Sequence, residues 1–279
     1  MARPVVAGSD GSQESLQAVE WAAAEAARHS VPLRIVTVAA PSCPADEEDP
    51  AAMLDELMHA VYAQSLRTAA RELARTVPGL IVETELLDGP PGRMLAHDSS
   101  TAQLLVVGAY GVGGYRQPGL GREARYLAMH AHCPVVVARD QGGTVHDEIV
   151  VGVRDLDDGA GAIPFAFEEA ALRGARLRVV HAWFPLNRWF GAEAENSAEA
   201  ASRLAQGVDE WHGKYPDVEV SYTGVEGLPG RVLADFSGQA DLTVIGRHDR
   251  ADGEPEGGKF VLHQVLNHAA GTVAVIPCS

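Results

Sequence analysis

The stretch LRIV at residues 33–36 recurs, nearly unchanged, as LRVV at residues 177–180. The turn GPPGR at residues 89–93 recurs in the same order as GLPGR at residues 227–231. An apolar run and a glycine–proline turn that repeat together at closely similar spacing indicate an internal duplication. We therefore predict that the chain contains two homologous units.

The boundary between the two units is predicted near residues 140–146, where a QGGT segment interrupts the repeated pattern. The first unit then covers residues 1–140, and the second covers residues 147–279. A chain of 279 residues is long enough for two domains of ordinary size, each with its own apolar core.

Within each unit, short apolar runs alternate with amphipathic segments. Pro4–Ser9 and Leu33–Ala39 are apolar runs typical of strands. Glu14–His29 instead carries apolar residues at helical spacing, and Ser12 before it is a residue type favoured at helix N-caps. The alternation continues as βαβαβαβαβ, and the second unit repeats it. Continuous apolar strands joined by helices predict an α/β fold, with a Rossmann-like, five-stranded parallel sheet and helices on both faces in each unit.

The charge and the cysteines of the chain exclude several classes of protein. The chain carries 22 Lys and Arg against 38 Asp and Glu, a formal net charge of −16. Long-range repulsion then opposes binding to nucleic acid or to anionic lipid, so we expect neither partner. No apolar stretch is long enough for a transmembrane helix, the N-terminus does not resemble a signal peptide, and the three cysteines form no CxxC pair. We therefore expect a cytoplasmic protein.

A glycine-rich loop follows the fourth apolar run of the first unit. It contains Gly108, Gly111, Gly113, Gly114 and Gly121, and a helical segment begins directly after it. Glycines at such a place let backbone N–H groups approach a phosphate, and the helix presents its N-terminus to the same charge. The loop lacks the lysine of the GxxxxGK[ST] motif, and the GxGxxG dinucleotide motif belongs after a first strand instead. On spacing alone, a phosphate-binding loop and an ordinary strand–helix connection both fit.

With both units in view, nearly the whole chain resembles the universal stress protein family, in its tandem two-domain form. The resemblance is carried by VVAGSDGS at residues 5–12, by the repeated glycine–proline turn, by LLVVG at 104–108 and by HCPVVV at 132–137. It implies an adenine nucleotide alpha hydrolase-like fold. It also implies a stress-response regulator that is not an enzyme. A family member that acts only through protein contacts and a slow ATP hydrolase remain as alternatives.

The resemblance also implies a nucleotide site in the first unit. In nucleotide-binding members, a G-x2-G-x9-G-[S/T] pattern holds the phosphates and the ribose, and the spacing of the loop glycines here matches it. Gly8 and Asp10 then lie near the adenine, and Val38 lines the base pocket. The implied ligand is ATP or another adenine nucleotide, with Mg²⁺ as a candidate companion ion. Arg122 replaces the final Ser or Thr of the pattern, and it either pairs with phosphate or blocks the site.

The second unit departs further from this pattern. Arg154 aligns with Asp10, Asp249 with Gly111, and Lys259 with Gly121. We therefore expect no standard ATP site in the second unit.

The last strand of each unit, Val135–Ala138 and Val273–Ile276, is short and apolar and is expected at a sheet edge. Exposed apolar edges invite pairing, and family members pair these strands. We therefore predict an internal pseudo-dimer of the two units. An unknown protein partner and a homodimer of two chains are further candidate associations.

Overall fold

The computed structural model of the protein describes residues 2–40, 50–111, 119–154, 161–183, 197–248 and 257–278. The chain divides into two compact units, Met1–Arg139 and Asp140–Ser279. Among the described residues, both units show the element order βαβαβαβαβ that the sequence predicts.

The first unit contains the following elements. They are β1 (Val5–Gly8), α1 (Gln13–Arg28), β2 (Leu33–Ala39), α2 (Pro50–Thr76), β3 (Val82–Asp88), α3 (Pro91–Asp98), a 3-10 turn (Ser99–Thr101), β4 (Leu104–Gly108), α4 (Arg122–His130) and β5 (Val135–Ala138).

The second unit repeats this arrangement. Its elements are β6 (Glu148–Val153), α5 (Ala162–Arg173), β7 (Arg176–Trp183), α6 (Ser197–Lys214), β8 (Val220–Glu226), α7 (Pro229–Ser237), β9 (Leu242–His248), α8 (Gly257–His268) and β10 (Val273–Cys278).

The strands of each unit are parallel, as predicted. In the first unit their order is β3-β2-β1-β4-β5, and in the second unit it is β8-β7-β6-β9-β10. From β1 the chain adds β2 and β3 on one side of the sheet. It then crosses back and adds β4 and β5 on the other side of β1. In open α/β sheets this change of direction leaves a crevice at the carboxyl ends of the two central strands, where ligands bind.

Helix α1 shows how the sequence positions this crevice. Ser12 is its N-cap, as predicted, and the Ser12 hydroxyl accepts a hydrogen bond from the Ser15 backbone N–H. Ala18, Ala22 and Ala26 form a fully buried face of small side chains. Small side chains let the helix axis approach the strands closely, so the first turn of α1 is held beside the ends of β1 and β4.

Several element boundaries differ from the sequence prediction, among them those of β9 and α4. The pattern predicts β9 over Leu242–Ile245, but β9 continues to His248 because residues 246–248 pair with residues 276–278 of β10. The pattern also predicts that α4 ends at His132. It ends at His130, because Ala131 has an extended backbone that leads into β5. The predicted pairing of the two units through their last strands stays a prediction.

No helix in the described part of the chain is long and apolar enough to cross a membrane.

Candidate crevice at the carboxyl ends of β1 and β4

The predicted site residues of the first unit gather at one edge of its sheet. Strands β1 and β4 are neighbours, with Ala7 opposite Val106, so Gly8 and Gly108 end adjacent strands. Strand β2 continues beyond β1, because Gly8 pairs with Val36 and Val38 lies two residues farther along. The half-buried Val38 therefore lies beside the segment that follows β1.

Asp10 is fixed to the first turn of α1. The Ser12 hydroxyl donates a hydrogen bond of 2.6 Å to Asp10 Oδ1, and the Ser12 backbone N–H donates one of 3.0 Å to the same oxygen. The residue that caps α1 therefore also sets the orientation of the Asp10 carboxylate. Its second oxygen, Oδ2, is turned towards the start of the glycine loop.

Gly111 meets that carboxylate directly. A β-carbon built on Gly111 would lie 2.5 Å from Asp10 Oδ2, closer than nonbonded atoms approach. A side chain at position 111 would displace the Asp10 carboxylate. The first-strand acid thus lies in contact with the start of the glycine loop.

Gly108 is needed for a different reason. A β-carbon at this position would lie 2.9 Å from the backbone oxygen of Glu14 and 3.2 Å from the backbone nitrogen of Ser15. The first turn of α1 therefore passes directly over the end of β4. Gly8 is also tightly packed, since its β-carbon would lie 3.1 Å from Leu95 Cδ1 and 3.2 Å from Val107 Cγ1.

The glycine loop returns close to its starting point. The Gly121 backbone N–H donates a hydrogen bond of 2.9 Å to the carbonyl oxygen of Ala109, and Gly121 is the N-cap of α4. The loop therefore delivers the N-terminus of α4 to the end of β4. The predicted site residues Gly113 and Gly114 lie outside the described residues.

Arg122 is the first residue of α4 and has a solvated side chain. Its guanidinium is 90% exposed and donates hydrogen bonds of 2.9 Å and 2.8 Å to Glu123 Oε1. An exposed pair of this kind contributes little to stability, so the guanidinium can exchange Glu123 for another anion at small cost.

A second arginine, which is not among the site residues predicted from the sequence, lies at this edge. Arg139 directly follows β5, and the pairing of Gly108 with Ala138 places it beside Ala109. Burial lowers the pKa of Arg139 from its usual value, and the electrostatic interaction with Tyr110 acts in the opposite direction. The only sequence signal for Arg139 is a cation at the end of the strand next to the glycine loop.

The corresponding edge of the second unit is more crowded. A β-carbon on Gly152, the counterpart of Gly8, would lie 2.5 Å and 2.8 Å from the two methyl carbons of Leu233. His181 and Trp183 stand where the first unit has Thr37 and Ala39, and their stacked rings have centroids 5.6 Å apart.

The charges at this second edge also differ from those of the first. An exposed Arg154 replaces Asp10, and an exposed Lys259 lies in the first turn of α8, whereas Asp249 lies outside the described residues. The second unit thus keeps the topology but has different side chains at the site.

Comparisons with known proteins agree with this duplicated architecture. The model of the Universal stress protein family matches residues 1–139 and 146–277. A universal stress protein of Mycobacterium tuberculosis is 32% identical over 288 residues, covering 98% of this chain and 96% of that protein. One from Mycolicibacterium smegmatis is 32% identical over 261 residues, covering 88% and 87% of the two chains.

A solved structure has the same fold. The crystal structure of a universal stress protein from Archaeoglobus fulgidus superposes with a TM-score of 0.71 at 14% identity, covering 98% of this chain and 96% of that one. The two family matches account for both units, and the relatives have the same tandem length. The chain therefore belongs to the universal stress protein family.

Proposed function

We propose that the first unit binds an adenine nucleotide in the crevice at the carboxyl ends of β1 and β4. The protein then acts as a regulator in the stress response and does not catalyse a reaction. The observation that carries this proposal is the contact geometry of Asp10 and Gly111, because Asp10 Oδ2 occupies the place of a Gly111 side chain. This geometry supports a site in which a hydrogen-bond acceptor for the ligand lies beside the start of the glycine loop.

The anionic part of the nucleotide belongs at the start of α4. The N-terminus of a helix carries a partial positive charge and free N–H groups, both of which favour phosphate. Gly121 caps this helix, and Arg122 provides a mobile cation in its first turn. Arg139 adds a second positive charge at the same edge of the sheet.

Magnesium fits this arrangement as a companion of a polyphosphate. Mg²⁺ in proteins commonly takes one or two carboxylates together with phosphate oxygens and water. Binding of ATP should therefore be measured both with and without Mg²⁺.

The second unit is proposed to bind no nucleotide in the same way. Leu233 crowds Gly152, the stacked rings of His181 and Trp183 stand in place of the smaller Thr37 and Ala39, and Arg154 replaces the acid. The expected stoichiometry is one nucleotide per chain.

A second candidate function is action through protein contacts alone. It is favoured by the exposed apolar side chains of Met53, Leu54, Leu57 and Val61 on α2. The two functions are distinguished by mass spectrometry of the denatured, freshly purified protein, followed by calorimetric titration with ATP, ADP and AMP. Bound or titratable nucleotide supports the first function, and its absence in both measurements supports the second. Phosphate release well above a blank would instead support a slow ATP hydrolase.

A further inference from the structure

His59 on α2 has a hydrogen-bond acceptor at each ring nitrogen. Nδ1 lies 2.9 Å from the backbone oxygen of Asp55, and Nε2 lies 2.6 Å from Asp88 Oδ1. A carbonyl and a carboxylate both only accept hydrogen bonds, so each nitrogen must carry a proton to bond its partner. Neutral imidazole has a single N–H, whereas the imidazolium ion has two. The geometry therefore fits the protonated form of His59.

The surroundings of His59 favour the same form. The charged groups that face it are the carboxylates of Asp88, at the end of β3, and of Asp55, one turn earlier on α2. The hydrogen bond to the Asp55 backbone, followed by the bond to Asp88, raises the pKa of His59 above 6.5, and burial opposes this rise.

The contact joins the less buried half of α2 to the end of β3. Between Ala52 and Ser65, no side chain of α2 is fully buried, whereas Leu66 and Leu73 farther along the helix are 5% and 6% exposed. The C-terminal half of α2 is therefore held by apolar burial. In its N-terminal half the side chains are exposed or half-buried, and the pair His59–Asp88 is one contact of this half with β3.

The contact also lies close to the candidate crevice. Asp88 is the last residue of β3 and pairs with Ala39, the last residue of β2. The backbone N–H of Gly89 then donates a hydrogen bond of 2.9 Å to the Ala39 carbonyl oxygen. A movement of α2 away from Asp88 would therefore take place next to Val38.

We propose that His59 and Asp88 form a proton-dependent latch, which fastens the N-terminal half of α2 to the carboxyl end of β3 and is weakened when His59 loses its proton. The latch is built from residues that the proposed nucleotide site does not use, so its two tests are made without nucleotide.

The direction of the pH dependence follows from the raised pKa. A group whose pKa is higher in the folded state contributes its full stabilisation below its ordinary value of 6.5 and loses it as pH rises through the higher, folded value. The latch is therefore strongest in mildly acidic solution and weakens as pH rises through the raised pKa of His59, because neutral imidazole keeps only one N–H. Opening is a local event, because Leu66 and Leu73 still anchor the rest of α2.

The first test is an NMR titration of the His59 ring in the full chain. We expect a pKa above 6.5 in the wild type and a lower value in Asp88→Asn, while Glu83→Gln leaves it unchanged. Glu83 is a matched control, since it is an exposed carboxylate on the same strand. Each unit by which Asp88→Asn lowers the pKa corresponds to a tenfold weaker preference for the protonated state. A wild-type pKa at or below 6.5, or one that Asp88→Asn does not lower, overturns the proposal.

The second test follows hydrogen exchange of the α2 backbone amides over residues 52–62, corrected for the intrinsic pH dependence of exchange. In the wild type, protection should fall as pH passes through the measured pKa of His59. In His59→Gln, which cannot titrate, protection should be independent of pH in this range. Wild-type protection that stays constant across the titration overturns the proposal, even if the pKa itself is raised.

Discussion

Asp10 Oδ2 lies 2.5 Å from the position that a β-carbon on Gly111 would occupy. The two residues come from the segments after β1 and β4, which are far apart in sequence and adjacent in the sheet. Ser12 holds the other carboxylate oxygen through two hydrogen bonds, so a side chain at position 111 would disturb the orientation that these bonds set. Glycine at position 111 therefore leaves room for the Asp10 carboxylate of the candidate site, whereas glycine at position 108 lets α1 pack against the end of β4.

This difference predicts opposite results for two glycine substitutions. Gly108→Ala forces backbone atoms of Glu14 and Ser15 to move, so it should lower the free energy of unfolding by about 1–3 kcal/mol. Gly111→Ala displaces only the tip of one side chain. It should cost less than about 1 kcal/mol and yet weaken nucleotide binding at least tenfold.

Urea unfolding and calorimetric titration of both variants measure the two effects. Gly213→Ala on α6 is the matched control, because a β-carbon there meets nothing within 4 Å. In that helix the same substitution should stabilise the protein by roughly 0.5–1 kcal/mol. Equal losses of stability in Gly108→Ala and Gly111→Ala would contradict the assignment of separate roles.

Ser12 links helix capping to the orientation of Asp10. Ser12→Ala removes the acceptor for the Ser15 N–H and the hydroxyl donor to Asp10, so we expect a loss of about 1 kcal/mol in stability together with weaker nucleotide binding. Ser12→Thr keeps the hydroxyl and should restore most of both. If Ser12→Ala lowers stability but leaves nucleotide affinity unchanged, Ser12 caps α1 without orienting Asp10 for the nucleotide.

Arg122 is predicted to serve the phosphates. Its exposed pair with Glu123 contributes at most about 1 kcal/mol, so Arg122→Ala should hardly change the unfolding midpoint. The loss of a charge-assisted bond to phosphate, roughly 1.5–3 kcal/mol, should weaken ATP binding about tenfold to a hundredfold. Arg71→Ala, which removes an exposed arginine on α2, is the control for net charge. Tighter binding by Arg122→Ser would show that the arginine blocks the site.

The half-buried ion pair between β2 and α3 is a separate test of the fold. The Arg34 guanidinium donates hydrogen bonds of 2.6 Å to Asp98 Oδ1 and 3.1 Å to Thr101 Oγ1, and the Arg34 and Asp98 side chains are 19% and 14% exposed. Arg34→Met leaves the Asp98 charge without its partner and should cost about 3 kcal/mol in urea unfolding. The double variant Arg34→Met, Asp98→Leu should recover most of that loss. If the double variant recovers none of the lost stability, the pair stabilises the fold through the packing of its side chains and not through its charges.

Much of the fold was predictable because it depends on local patterns. Leu33–Ala39, Pro91–Asp98 and Val135–Ala138 have the bounds that their sequence patterns predict, since apolar runs and a proline at a helix start act within a few residues. Strand β8 was predicted at Val218–Tyr222 but spans Val220–Glu226. It is a half-buried edge strand whose length is set by pairing with β7, which the sequence of β8 alone does not encode.

The candidate site was predictable only to the level of strand ends. Topology brings the segments after β1 and β4 together, but the contact of Asp10 with Gly111 depends on the path of a long loop. The same holds for Arg139, which reaches the site through the register of β5, and for His59 and Asp88, which belong to different elements. Such contacts arise from tertiary packing, and no periodicity in the sequence reports them.

The stoichiometry of ATP binding tests most directly whether the first unit holds the nucleotide. It is measured by calorimetric titration of the full chain and of Gly111→Asp under one salt condition. This variant places in the first unit the residue that the second unit has at the aligned position, Asp249. We predict one ATP per chain in the wild type and none in Gly111→Asp, with both proteins equally folded. Two equal sites in the wild type, or one undiminished site in Gly111→Asp, would contradict the placement of the nucleotide in the first unit.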